Sequence, residues 1–364
     1  MNSPTIPLLL ADGDIPTTRI LAQALGAGFG DVEIRTSEQL FGANVDRRGV
    51  VISRLCHPRF GWLPHHLRER GCRYLYFLDD NFWELTPDVD VHLAPFYQNP
   101  AVVATLDAFV RQAHATLVMS RRLGDYIALR HPDARIEYIV PGFDAFGGRA
   151  RAESVAAAPK REGEIRIGYP TSRRPNVASL LAPVIAELAR RHAGRLSFEF
   201  VGWAPDAVIG LPGVHLHPHI DDYGRYLAFM ISRRWDIGIA PLVGAPFEAF
   251  KTQVKYREYG GCGIAGAYSR VVPYTDFVVD GATGLLVDNT SDAWIRALER
   301  LIGDTDLRAT IARNALADVK AHFDERATAT QLKALLVEAA EAEAAAAPAA
   351  LQADSLGARQ EAAS

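Results

Sequence analysis

Short unbroken apolar runs alternate with longer amphipathic stretches along most of this chain, and that alternation predicts its elements. Residues 7–11 (PLLLA) make an apolar run of strand length, followed by a turn at Asp12-Gly13-Asp14 and a helix expected over 17–25 with Gly26 past its end. Further short strands are expected at 32–35, 50–53, 74–78, 115–119 and 137–140. A second series starts with a strand at 165–169 and a helix at 177–192, then adds strands at 198–201, 214–217, 237–240, 264–267 and 285–287. Helices follow from 291 to about 345. Strands that alternate with helices build parallel sheets covered on both faces, so the fold class is α/β, with two Rossmann-like, doubly wound parallel-sheet domains. Ligands in such sheets sit at the carboxyl ends of the strands, which in the first series means near Asp12, Arg54, Asp79 and Ser120.

The pattern also places the joints. Residues 146–163 (FGGRARAESVAAAPKREG) are rich in glycine, alanine and charge and have nothing to bury. The expected organisation is a first domain over 1–148, a linker over 149–163, a second domain over 164–322, a last helix over 323–345 and a disordered, alanine-rich tail over 346–364. Gly26-x-Gly28-x-Gly30 follows a helix and lacks the G-x-G-x-x-G spacing, so it reads as a helix stop and not as a dinucleotide fingerprint.

Composition narrows the class without changing the picture. At 364 residues the chain exceeds one ordinary core, and 49% hydrophobic with 23% charged residues is usual for a globular enzyme. The net charge of −4 is misleading, because the stretch 338–364 supplies it alone, with five acids against Arg359. The body is close to neutral, and no nucleic-acid partner is expected. Cys56, Cys72 and Cys262 form no paired spacing, which points to a reducing compartment and away from structural zinc. The apolar run at 6–11 is too short for a signal peptide, and no run approaches a membrane span, so the expected location is the cytoplasm. Residues 44–73 hold seven arginines against two acids, with Phe60 and Trp62 among them; this is either an ordinary basic surface or a peripheral contact with an anionic membrane.

The densest chemistry lies at 246–266, PFEAFKTQVKYREYGGCGIAG. On a helix over about 252–260, Lys255 and Glu258 are three residues apart and share a face, with Lys251 at its start. Cations and helix-start amides near Thr252 and Gln253 suit phosphates, and a carboxylate one turn on suits ribose hydroxyls. The plain alternative is a solvated lysine–glutamate pair. Arg173 and Arg174 follow the strand at 165–169, and Gly202 follows the strand at 198–201 as a turn. His57, His65 and His66 sit in one loop, as surface groups or as a general base for a hydroxyl.

Lys255-x-x-Glu258-Tyr259-x-x-x-Gly263 resembles the K-x-x-E-Y-x-x-x-G-x-P signature of the large retaining glycosyltransferase family with the GT-B fold (family 4-like, "glycosyl transferases group 1"). Upstream, 236–242 is similar to the family's D-I-G-I-A-P-L strand; downstream, Tyr274 and 280–287 (DGATGLLV), then Trp294 and a helix pair ending near Asn314, keep its order and spacing. Asp79-Asp80-Asn81-Phe82-Trp83 resembles a D-D-x-x-W segment of members that build bacterial surface polysaccharides. Two positions depart: Phe250 stands where many members carry a first glutamate that touches the transferred sugar, with Lys251 or Glu248 as substitutes, and Ala265 stands where many have proline.

The resemblance implies a cleft between the domains, closing over a nucleotide-diphosphate sugar. Glu258 would hold the ribose; Lys255, with Lys251 and Arg173 or Arg174, the departing diphosphate; Thr252, Gln253, Tyr259, Gly202 and Tyr274 would complete the donor site. Asp79, Asp80, His57 and Arg54 would lie on the acceptor side. The implied activity is sugar transfer to a hydroxyl of a glycan or lipid-linked saccharide, with retention, in polysaccharide biosynthesis, and without metal or cofactor. The alternatives are a nucleotide-sugar 2-epimerase of the same architecture and a non-catalytic nucleotide-sugar-binding subunit.

Overall fold

The structure, a computed structural model, describes residues 6–13, 15–39, 49–140, 142–143 and 156–342. The chain divides into two compact units, one of Met1–Asp79, Phe96–Pro141 and Glu325–Ser364, the other of Asp80–Pro95 and Gly142–Asp324. Residues 80–95, placed by the sequence in the first domain, therefore group with the second unit, because their turn at Phe82–Glu84 packs against the turn at Pro246–Phe250. The helix at 325–342 groups with the first unit. Residues 149–155 of the expected linker and all of the expected tail lie outside the described residues.

The first unit is a six-stranded parallel sheet of β1 (Leu8–Ala11), β2 (Glu33–Thr36), β3 (Val50–Ser53), β4 (Tyr74–Leu78), β5 (Ala115–Val118) and β6 (Ile136–Tyr138), in the order β2-β1-β3-β4-β5-β6. The four central strands are buried along their whole length, which is why they read as continuous apolar runs. Leu9, Val51, Leu75, Phe77 and Leu117 pack on Leu21 and Leu25, and Leu332, Leu335 and Leu336 of the helix at 325–342 close the same core. That helix is also fastened by Gln331, which donates to the Tyr138 carbonyl at 2.9 Å, and by Thr328, which donates to that of Val140 at 2.6 Å.

The first helix runs Pro16–Phe29, past the expected stop at Gly26. Gly30 ends it, at φ 85°, with its N–H on the Gly26 carbonyl at 2.7 Å. Gly28 stays inside the helix for packing: a Cβ there would lie 3.0 Å from the Ala329 carbonyl oxygen.

The second unit is another six-stranded parallel sheet: β7 (Ile165–Pro170), β8 (Leu196–Val201), β9 (Val214–His217), β10 (Ile237–Ala240), β11 (Ala265–Ser269) and β12 (Leu285–Val287), ordered β12-β11-β10-β7-β8-β9. Its core gathers Ile167, Phe198, Ile239, Ala267 and the fully buried Trp294 and Leu298. The helix pair expected to end near Asn314 continues to His322, as helices Ser291–Gly303 and Thr305–His322. Ala265 explains the missing proline, because it opens β11 and its N–H donates to the Asp236 carbonyl at 3.3 Å.

In each sheet the chain reverses its direction of winding beside the first strand, between β1 and β3 in one and between β7 and β10 in the other. Such a reversal opens a crevice at the carboxyl ends of the two strands. Gly238, in the middle of β10, fixes what lies behind the second crevice: a Cβ there would come within 2.6 Å of the Tyr259 ring. Gly238→Ala is expected to destabilise the protein by about 1–3 kcal/mol by displacing that ring, read as a lower urea midpoint with an unchanged slope.

Candidate active site

The loops leaving β7 and β10 meet at the second crevice. After β10 the chain makes the turn Pro246–Phe250, in which Glu248 is 0% exposed. Its Oε2 accepts the N–H groups of Gly244 at 2.9 Å and Ala245 at 3.2 Å, and its Oε1 accepts from Arg174, on the β7 loop, at 3.4 Å. Glu248 is thus a clamp between the two loops, and Arg174 is held by it, whereas Arg173 is exposed. Gly202 closes the floor at φ 89°, so near the β7 loop that a Cβ would stand 2.6 Å from the Thr171 carbonyl oxygen. Tyr274 is buried; burial pushes its phenol up, and the neighbouring Tyr169 and Arg174 act on it in opposite senses.

The helix expected over 252–260 spans Val254–Gly261. Lys251 therefore precedes it as the end of the turn, while Thr252 and Gln253 lead in half-buried, and Gln253 makes no side-chain capping bond. Glu258 is 2% exposed, and its Oε2 accepts from Lys255 Nζ at 2.8 Å and from the Tyr226 hydroxyl at 2.8 Å. Lys255 also donates to the Tyr226 oxygen at 3.2 Å. Burial first, and then the Glu258 charge, hold the hydroxyls of Tyr226 and of the adjacent Tyr223 well above the usual phenol range, so both remain O–H donors. Lys255 and Tyr226 both bond Oε2, and the Tyr223 hydroxyl lies against the same carboxylate. Tyr259, grouped by the sequence with the donor-binding residues, turns the other way: fully buried, it donates to the Ile239 carbonyl at 2.7 Å and anchors the helix to the sheet.

Tyr223 and Tyr226 are functional candidates that sequence reasoning missed. They stand three apart on the helix Tyr223–Arg233, and that spacing was the one signal in the sequence. Nothing in it pointed to Glu258, 32 residues beyond Tyr226.

The paired acids separate. Asp79 belongs to the first unit, where it accepts from Thr17 at 2.8 Å and Arg54 at 3.3 Å. Asp80 belongs to the second, where its Oδ1 lies 3.4 Å from Lys251 Nζ, apart from Asp79 and Arg54, with which the sequence grouped it. At the first crevice Asp12, Arg54 and Asp79 gather at the ends of β1, β3 and β4, and Arg54 holds φ 60°, a conformation costly for a side chain of its size. Burial raises the Asp12 carboxyl against the opposing pull of Arg54, His57 and Arg59. His57 is exposed and accepts the Arg59 N–H through Nδ1 at 3.2 Å; His65 pairs with Glu69 at 3.1 Å, and His66 stacks edge-on to Trp62. Of the seven arginines at 44–73, Arg47 and Arg48 lie outside the described residues and Arg54 is turned onto Asp79.

Among the described residues no group of three or more His, Cys, Asp or Glu side chains is placed to hold a metal ion, and no helix is long and apolar enough to cross a membrane.

No protein-family model matches the chain, and no curated protein matches its sequence. Solved structures do match its fold. Sucrose-phosphate synthase from Thermosynechococcus elongatus aligns at TM-score 0.68 and 16% identity, over 91% of this chain and 98% of that one. Anabaena HepE in complex with UDP-glucose aligns at TM-score 0.66 and 15% identity, over 92% and 99%. A glycosyltransferase from Rickettsia africae aligns at TM-score 0.63 and 11% identity, over 93% and 99%. With its two parallel six-stranded sheets, each flanked by helices, this chain has the GT-B fold of these glycosyltransferases.

Proposed function

We propose that this protein is a glycosyltransferase that moves a sugar from a nucleoside diphosphate sugar to a hydroxyl of a glycan or lipid-linked saccharide. The observation that carries the reading is the buried Glu258 carboxylate, held by Lys255 and Tyr226 beside the second crevice, a group suited to receive a ribose hydroxyl. Uridine diphosphate sugars are the first donors to try, since Anabaena HepE, of the same fold, binds UDP-glucose.

In this reading the nucleotide lies along the second crevice, with its base near Gly202, its ribose at Glu258 and its diphosphate toward Lys255, Lys251, Arg173 and the amides after Lys251. When the bond from the anomeric carbon to the phosphate oxygen breaks, negative charge grows on the diphosphate and these cations stabilise it. The acceptor oxygen bonds to the anomeric carbon from the side that oxygen has left, and its proton passes to the departing diphosphate oxygen. The sugar is transferred with retention, and neither a protein base nor a metal takes part. Asp12, Arg54 and Asp79 at the first crevice serve the acceptor.

Thermal-shift screening against nucleoside diphosphates tests the donor, and Glu258→Gln is expected to weaken the best one by about tenfold, as one charge-assisted bond becomes a neutral one. Equal affinity in the variant would remove ribose binding from Glu258. Incubation with labelled nucleotide sugar and no acceptor separates the transferase, which leaves the donor intact or slowly hydrolysed, from a 2-epimerase, which isomerises it. Persistent nucleotide binding without transfer to any acceptor extract would indicate a binding subunit.

A further inference from the structure

We infer that Asp80 and Asn81 bind the hydroxyls of the transferred sugar, a role that rests on the donor reading above. The segment Asp80–Pro95 belongs to the second unit, and its turn at Phe82–Glu84 packs on the turn that carries Glu248 and ends at Lys251. Lys251 Nζ stands over the Phe247 ring at 4.6 Å and 3.4 Å from Asp80 Oδ1, so one ammonium joins the turn after β10 to this segment. A sugar is joined to the diphosphate through a single oxygen. If Lys251 meets the diphosphate, a carboxylate already at that lysine lies within reach of the first sugar hydroxyls.

Asn81 supplies the second, independent observation. It is 0% exposed, yet neither its amide nitrogen nor its amide oxygen has a hydrogen-bond partner among the described residues. A buried amide left unpaired on both sides is costly, and such groups are usually completed by water or ligand. An amide offers one donor group and one acceptor, the complement of a sugar hydroxyl, which does both. In the turn Pro246–Phe250, Phe250 carries no carboxylate and Glu248 is taken up by Gly244, Ala245 and Arg174, while Asp80 is paired with Lys251.

The charge of Asp80 gives the test an opposite-signed signature. It repels a diphosphate while it binds a sugar hydroxyl, so removing it helps the bare nucleotide and harms the sugar nucleotide. Titration calorimetry of the full chain with UDP and UDP-glucose, and with GDP and GDP-mannose if guanosine is preferred, measures both. Asp80→Asn is expected to leave the nucleoside diphosphate affinity unchanged or raised, and to raise the ratio of the sugar-nucleotide Kd to the nucleoside diphosphate Kd about tenfold. Asn81→Ala is expected to raise the same ratio, with its melting temperature followed; Asp80→Asn, isosteric and at a partly exposed position, keeps the test open if the Asn81 variant does not fold. A ratio unchanged in Asp80→Asn, whether both ligands tighten together or weaken together, overturns the sugar subsite and leaves the donor reading standing. Wild-type protein that binds none of the four ligands overturns the donor reading itself.

Discussion

Lys255→Ala is expected to lower turnover by about 10²-fold or more at saturating donor, on the order of one lost stabiliser of the leaving group. The Lys255 side chain is 24% exposed, and its ammonium is directed by the Glu258 carboxylate and the Tyr226 oxygen, which take two of its three N–H groups. In the proposed reading the third would meet the diphosphate, where its charge would count for more as the bond to the sugar breaks. If Lys255 served only to pair the buried Glu258 carboxylate, its loss would lower stability and leave turnover per folded molecule alone. Nucleoside diphosphate release, measured with a melting curve on the same samples, separates the two cases. Lys255→Arg, which keeps the charge on a differently shaped head, is expected to fall between the variant and the wild type. Equal turnover in all three proteins would remove Lys255 from the chemistry.

The second large effect concerns stability. Glu199 lies in β8 at 1% exposure, and its Oε2 accepts from Arg233 Nε and Trp235 Nε1, both at 2.7 Å, while its Oε1 accepts from Arg233 Nη2 at 2.5 Å. His217 and Arg166 stand within 3.8 Å and 3.7 Å of the same carboxylate. Glu199→Ala leaves the Arg233 charge and the Trp235 N–H without their acceptor, so a loss of about 3–5 kcal/mol is expected, or roughly 10 °C in melting temperature.

The same network sets a pH dependence. Burial alone would raise the Glu199 carboxyl, but the bonds from Arg233 and Trp235, with His217 near, outweigh it and hold it at about 2. A carboxyl held down by folding contributes stability that is whole above its unfolded pKa and is lost as pH falls toward the folded one. Wild-type protein should therefore lose about 3 kcal/mol between about pH 4.5 and pH 2 from this group, and the alanine variant should lack that component of its acid unfolding curve. A variant with the wild-type acid profile would contradict the assignment.

Part of the local pattern around the candidate site was legible in the sequence. The shared helix face of Lys255 and Glu258 followed from their spacing, whereas Gly202 and the loop of Arg173 and Arg174 were singled out by the family resemblance. Tyr259 went wrong because helical position alone does not say which face of a short helix meets the sheet, and here Gly238 leaves the space that its ring fills. The helix stop went wrong by four residues because Gly26 and Gly30 read alike as letters, and only Gly30 takes the left-handed conformation.

Local chemistry, then, determined what neighbouring residues decide between them: apolar runs that must be strands, amphipathic stretches that must be helices, a lysine and a glutamate one turn apart, and the α/β class that these elements impose. The tertiary structure decided the encounters across tens of residues, because they depend on how the sheet is wound and not on any local pattern. Tyr226 reaches Glu258, Arg174 reaches Glu248 and Asp80 reaches Lys251 across 32, 74 and 171 positions, each pair brought together where two strands end side by side or where one turn packs on another.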